Sequence, residues 1–217
     1  MPESSPSVGA DGGSSRVRVA GSILIAGGLV FFLLNMVAEG TYPNYDVGTY
    51  YLSDLGAIGA NTYLLWNGML FTSGVLLLVA GYLLFFTENQ FRATAVGGRT
   101  TIVGVLYLLP GIGAIIVSLF PGNSSLGAAG MHSIGAFTTF VFGGVSAVYA
   151  VRLTKAPFRY FSVVLGVITL VSIPVFVYSG VSVAGLTERL IVYPFVLWAM
   201  CFGAYLSGVH LGERASV

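Results

Sequence analysis

The sequence predicts an all-α, polytopic membrane protein built as a six-transmembrane-helix bundle. Three observations carry that prediction. Of 217 residues, 56% are hydrophobic and only 8% charged, whereas a water-facing domain carries about a quarter charged residues. Mean hydropathy is +0.90, so the solvent of this chain is largely lipid. Six apolar runs follow one another, each close to the roughly 20 residues that cross about 30 Å of hydrocarbon. Thirty glycines and 13% aromatics agree with this class, because glycine is frequent in membrane helices and aromatic rings gather at interfaces.

Residues 1–18 read as a disordered cytoplasmic tail, since Met1 to Ser15 are Ser, Gly, Pro and acid without apolar periodicity. The run that follows Arg16 and Arg18 is longer than the 7–15 residue core of a signal peptide and lacks a convincing cleavage site. It reads as a retained helix. Spans are predicted at 19–37, 64–86, 101–120, 132–151, 160–178 and 190–209, forming one transmembrane domain over 19–209 with a cytoplasmic tail at 210–217. Pro110, Pro174 and Pro194 fall inside spans, where neighbouring groups let a proline kink a helix without ending it.

Basic residues in the short connections set orientation. Arg16, Arg18, Arg92, Arg99, Arg152, Lys155, Arg159 and Arg214 share one side, leaving only Arg189 of the nine on the other. Both termini are therefore expected in the cytoplasm, with the chain in the cell membrane as a multi-pass protein. The first connection, Glu39 to Tyr63, is long, lacks a basic residue and is extracytoplasmic on this reading. Loops of that length are usually functional or locally structured. Its four tyrosines before Ser53 suit the outer headgroup layer, where a phenol keeps its ring apolar and its hydroxyl wet.

Polar residues collect on that outer side: Glu39, Asp46, Asp54, His132, Glu188 and Arg189, with Asn35 and Asn67 about one turn into the first and second helices. Asp54, in Ser53-Asp54-Leu55-Gly56, suits a turn in which Gly56 supplies a permissive conformation. It also suits an acid that exchanges a proton or pairs with Arg189. Asp46, in Tyr42-Pro43-Asn44-Tyr45-Asp46, is a turn residue or part of a polar ligand site with Tyr45. His132, at the predicted start of the fourth span, is an interfacial histidine bonded to a carbonyl or a general base near Asp46 or Asp54. Arg189 breaks both the charge rule and the helix dipole preference, so an outer-loop carboxylate, an aspartate by this reading, should compensate it and pin the long loop. Recognition of an anionic substrate by its forked guanidinium is the alternative. His132, Asp54 and Asp46 are thus the acid–base candidates, and Arg189, Glu188, Asn67, Ser53 and Tyr45 the ligand-binding candidates.

Several classes find no support. Net charge of +1 gives no reason for nucleic-acid binding. A single cysteine, Cys201, excludes an intramolecular disulfide and a thiolate metal cage. His132 and His210 are expected at opposite faces, which argues against bis-histidine haem, and no other metal or cofactor is expected. No ionisable residue is expected near the middle of a span, which weighs against proton-coupled transport. Gly135, Thr139, Gly143 and Ala147, and likewise Gly203, Ala204, Ser207 and Gly208, form small-residue ribbons for close helix packing, with a homo-oligomer seam as a second use.

The tracts PNYDVGTYYLSDLG, FPGNSSLGAAGMHSIGAF and GLTERLIVYPFVLW, in this order, resemble the uncharacterised membrane family called domain of unknown function 998. The resemblance covers essentially the whole chain after the tail. It implies a six-helix prokaryotic integral membrane protein and supplies no activity. The functional expectation is a structural or lipid- and ligand-binding protein with membrane lipids as partners. An enzyme acting on a lipid or lipid-linked substrate at the outer leaflet is the alternative, and a small-solute transporter the weaker one.

Overall fold

The computed structural model describes residues 10–87 and 100–214, and everything regular in them is helical. Six helices, α1 (Ala10–Thr41), α2 (Tyr63–Phe85), α3 (Thr100–Leu119), α4 (Leu126–Tyr149), α5 (Phe158–Tyr178) and α6 (Ala184–Arg214), are each long and apolar enough to span a membrane. Each packs on its sequence neighbours, and α6 closes the ring on α1. Helices α1 and α6 run antiparallel, with Gly21 against Gly203 toward one end of the bundle and Glu39 against Arg189 at the other; the latter, where the first connection lies, is the loop end below. Arg92 and Arg99 of the orientation count, and residues 1–9 of the expected tail, lie outside the described residues.

Helix ends run past the hydropathy boundaries. Residues 10–18, expected as tail, belong to α1, where Val17 and Ala20 are buried in the core beside Leu24. Helix α6 likewise continues through Arg214 into the expected C-terminal tail. At the loop end, α4 starts six residues before His132, and α6 starts at Ala184, ahead of Glu188 and Arg189. Small and polar residues such as Gly127, Gly130, Gly185 and Thr187 lower the hydropathy of those turns. They stay helical because backbone groups near the hydrocarbon must find partners within the chain. His132 and Arg189 therefore stand beyond the first turn, where the helix dipole has largely faded.

The prolines sit inside α3, α5 and α6 as expected, and neighbouring helices meet part of their cost. Pro110 cannot donate to the Leu106 carbonyl, and the Ser146 hydroxyl of α4 donates to it at 3.1 Å. Thr169 of α5 likewise donates into α6, to the Ile191 carbonyl at 3.3 Å, one residue from the Leu190 carbonyl that Pro194 leaves without its helical donor. The small-residue ribbons are used inside the bundle: Gly135 lies against Gly113 and Ile116 of α3, Gly143 against Phe195, and Gly203 against Gly21.

The first connection does not simply lie in a headgroup layer. A short 3₁₀ turn, Leu52–Gly56, drives Leu52 and Leu55 into the loop-end core with Phe31, Trp66 and Met69. Tyr42, Tyr45 and Tyr50 cluster ring to ring above it. The segment is a plug.

Candidate functional site

Arg189 is the fastener of the plug. Its Nη2 donates to Glu39 Oε1 at 2.6 Å and to the Tyr45 hydroxyl at 2.7 Å. Nη1 donates to the carbonyls of Val47, Tyr50 and Gly185 at 3.1, 3.2 and 2.9 Å. The expected carboxylate partner is thus Glu39 rather than an aspartate. Helix α1 extends through Thr41, which carries Glu39 on its last turn to face α6. Asn35 Nδ2 and the Tyr193 hydroxyl donate to the same Glu39 oxygen at 3.1 and 3.2 Å. Both terminal nitrogens of the guanidinium are so occupied, and the buried Nε has no partner among the described residues, so the forked pair of Nη1 and Nη2 is spent on the plug. Tyr45 serves the same fastening, also donating to the Tyr51 carbonyl at 3.0 Å. Burial holds its phenol well above the usual range, with Arg189 opposing only in part.

Glu188, one residue earlier, points the other way. It is buried, and its Oε2 accepts the Leu52 amide at the start of the 3₁₀ turn, with the Ser53 amide facing the same carboxylate. Asp54 closes the turn itself by accepting the Tyr51 amide at 2.8 Å. Burial pushes its carboxyl above the ordinary carboxylate range, against the opposing pull of the Tyr51 amide and of nearby His132. Among the described residues, no hydrogen bond or ion pair joins His132 to Asp54 or Asp46. His132 Nδ1 instead meets the Phe120 carbonyl at 2.9 Å.

Asp46 stands apart. It is exposed, and its Oδ1 accepts the Gly48 amide at 2.7 Å, a local turn bond. Asparagine can accept the same bond, so Asp46→Asn should change unfolding stability by less than about 0.5 kcal/mol; a chemical denaturation curve in detergent checks this. Asn67 is structural too, donating to the Gly56 and Tyr63 carbonyls, both at 2.9 Å. Gly56 is needed for space, not for a left-handed turn: a Cβ there would lie 2.8 Å from Asn67 Oδ1 and press into the Trp66 ring.

Beneath the plug lies a cavity of about 90 Å³ ringed by α1, α2, α3, α4 and α6. Its long walls are almost wholly apolar, including Phe31, Leu70, Leu77, Val117, Phe140 and Phe195. Ser53, His132 and Glu188 line its loop end. The structure thus gathers three of the expected site residues on one void and leaves Asp46, Asp54, Asn67, Tyr45 and Arg189 off its lining. Trp66 and Ser73 also line it, and the sequence reading passed over both. Trp66 carried a signal, being an aromatic beside Asn67 on the first turn of α2; a lone serine within an apolar run carried none.

Fold and site together define a polytopic helical membrane protein with a plugged, polar-tipped interhelical cavity. Over residues 25–205 the chain matches the family described as protein of unknown function (DUF998), and it belongs to that family. No curated protein and no solved structure matches it.

Proposed function

We propose that this protein binds an amphipathic small molecule or lipid in the interhelical cavity, from the outer leaflet. The single observation behind this reading is the cavity itself, apolar along most of its walls, with Ser53, His132 and Glu188 at its loop end and Ser73 and Thr139 the other residues with a hydroxyl on its lining. A void of that volume costs roughly 2 kcal/mol in lost packing if left empty, and apolar walls do not hold water well. An aliphatic segment satisfies the walls, the side chains around so small a void parting to admit a longer chain, and a polar group at its end meets the three loop-end residues.

The test is retention of ligand. Protein purified in mild detergent should carry a bound amphipath visible by native mass spectrometry. Ala136→Phe, which projects a ring into the cavity, should reduce that occupancy at least tenfold while the protein stays folded. Equal occupancy in a folded Ala136→Phe variant, or no bound species in the wild type, would count against the reading.

One observation favours a second reading, catalysis on the bound molecule. A carbonyl only accepts, so the bond from Nδ1 to Phe120 fixes the neutral imidazole with its proton on Nδ1. Nε2 is then a free base at the cavity's polar end, suited to general-base work. Under this reading His132→Gln removes any turnover of a bound lipid and weakens its binding far less, since glutamine keeps a hydrogen-bonding group at that end.

A further inference from the structure

Two residues that line the cavity carry a buried donor without a protein acceptor: Ser73 through its hydroxyl and Trp66 through its indole N–H. They differ in what they can do about it. A serine hydroxyl turns about one bond and reaches the carbonyl four residues back, as Thr72, Thr138, Ser146 and Ser207 do. An indole N–H is fixed to its ring. The Trp66 ring is in turn held by Gly56, whose missing Cβ makes room for the Cε3–Cζ3 edge. Nε1 lies on the opposite edge of the indole, so it faces away from the plug. Trp66 is only 4% exposed, and a buried donor left unpaired costs about 1–3 kcal/mol. The other indole of the chain shows the normal arrangement, with Trp198 Nε1 donating to Ser162 Oγ at 3.1 Å.

Charge narrows what could accept from Trp66. No lysine or arginine lines the cavity, and its ionisable groups are Glu188 and His132. An anionic acceptor would enter an apolar space with no cation to pair it, and burying an unpaired charge costs far more than burying a neutral oxygen. Arg189, which could offset that, is committed to Glu39 and the plug.

We propose that the cavity selects a neutral amphipath whose ether, ester or quinone oxygen accepts the Trp66 indole N–H just below the plug. This rests on the cavity-binding reading above and specifies its ligand class. The chain beneath that oxygen runs along Leu70 and Leu77 toward Ile23 and Ala199. Phosphorylated and carboxylate lipids bind poorly by comparison.

The experiment uses full-length protein in detergent, labelled with ¹⁵N on its two tryptophans. Five probes are titrated: 1-O-dodecylglycerol for the ether, 1-dodecanoylglycerol for the ester, a decyl-substituted benzoquinone, dodecane as the hydrocarbon control and dodecanoate as the anionic control. Binding of at least one oxygen-bearing probe should move the Trp66 indole proton downfield and leave that of Trp198 in place. Which probe does so identifies the oxygen. Trp66→Phe should weaken that probe about tenfold, the worth of one buried hydrogen bond, with dodecane unaffected. If Trp66→Phe does not fold, benzothienylalanine at position 66 keeps the ring shape and removes only the N–H. Oxygen-bearing probes that bind without moving the Trp66 signal, or bind the N–H-less variant equally well, overturn the proposal while the cavity reading survives. Dodecanoate binding as tightly as the neutral probes overturns it as well. If no probe binds the wild type, the cavity reading and this proposal fall together.

Discussion

Arg189→Ala should lower unfolding stability by about 3–5 kcal/mol, the cost of removing one partner from a buried ion pair. The Arg189 side chain is 7% exposed and that of Glu39 20%, so most of the Glu39 charge loses its compensation without gaining water. The carbonyls of Val47, Tyr50 and Gly185 lose a donor in the same step. The plug should then lift, because these bonds join residues 45–50 to α6. Arg189→Lys should recover only a minor part, since one ammonium cannot span Glu39, Tyr45 and three carbonyls at once. Adding Glu39→Gln to Arg189→Ala should restore roughly half the loss, with Asn35 and Tyr193 still donating to the amide oxygen. Denaturant titration of the four proteins in one detergent measures all of this. Stability of Arg189→Ala within 1 kcal/mol of wild type, or no recovery on changing Glu39, would show that the network does not hold the plug.

Gly104→Val should cost about 3 kcal/mol or more, toward the upper end of overpacking penalties. At this crossing α2 and α3 meet backbone to backbone. A Cβ on Gly104 would lie 2.6 Å from the Phe85 amide nitrogen and 2.7 Å from the Gly81 carbonyl oxygen, and neither atom can swing away as a side chain could. The helices must separate along the contact, giving up the close packing that associates helices in lipid. Gly127→Ala is the matched control: nothing lies within 4 Å of its Cβ position, and a helical alanine is favoured over glycine by up to about 1 kcal/mol. The same denaturant titration should therefore find Gly127→Ala at or above wild-type stability. Equal stability of the two variants would mean that the α2–α3 approach is not tight in the membrane.

Much of the architecture was legible in the residues, and the reason is physical. Crossing hydrocarbon demands about 20 apolar residues with every backbone group paired, and that demand writes itself locally into each run. The helix ends were less legible. Turns rich in glycine and threonine, as at Gly127–Gly130 and Gly185–Thr187, read as loops by hydropathy yet complete the helices. That shift moved Glu39 onto α1 and Arg189 onto the second turn of α6, which made them partners. Arg189 itself announced a compensating acid by breaking the charge asymmetry, but several acids qualified, and only the facing of α1 and α6 chose among them.

The chain by itself determined an apolar, six-helix membrane protein with its polar chemistry gathered at the end that carries the Tyr-rich connection. It could not reveal the cavity. A membrane helix is apolar toward lipid, toward its neighbours and toward a void alike, so no periodicity marks Leu70 or Val117 as cavity-lining while Leu64 and Leu126 face outward. Tertiary structure decided which of the gathered polar groups share a site. Rotation of α4 and α6 turned His132 and Glu188 into the void beside Ser53, and turned Arg189 away from it to hold the plug. Helical phase and crossing geometry arise from packing between distant segments, and packing is what a linear reading of hydropathy leaves out.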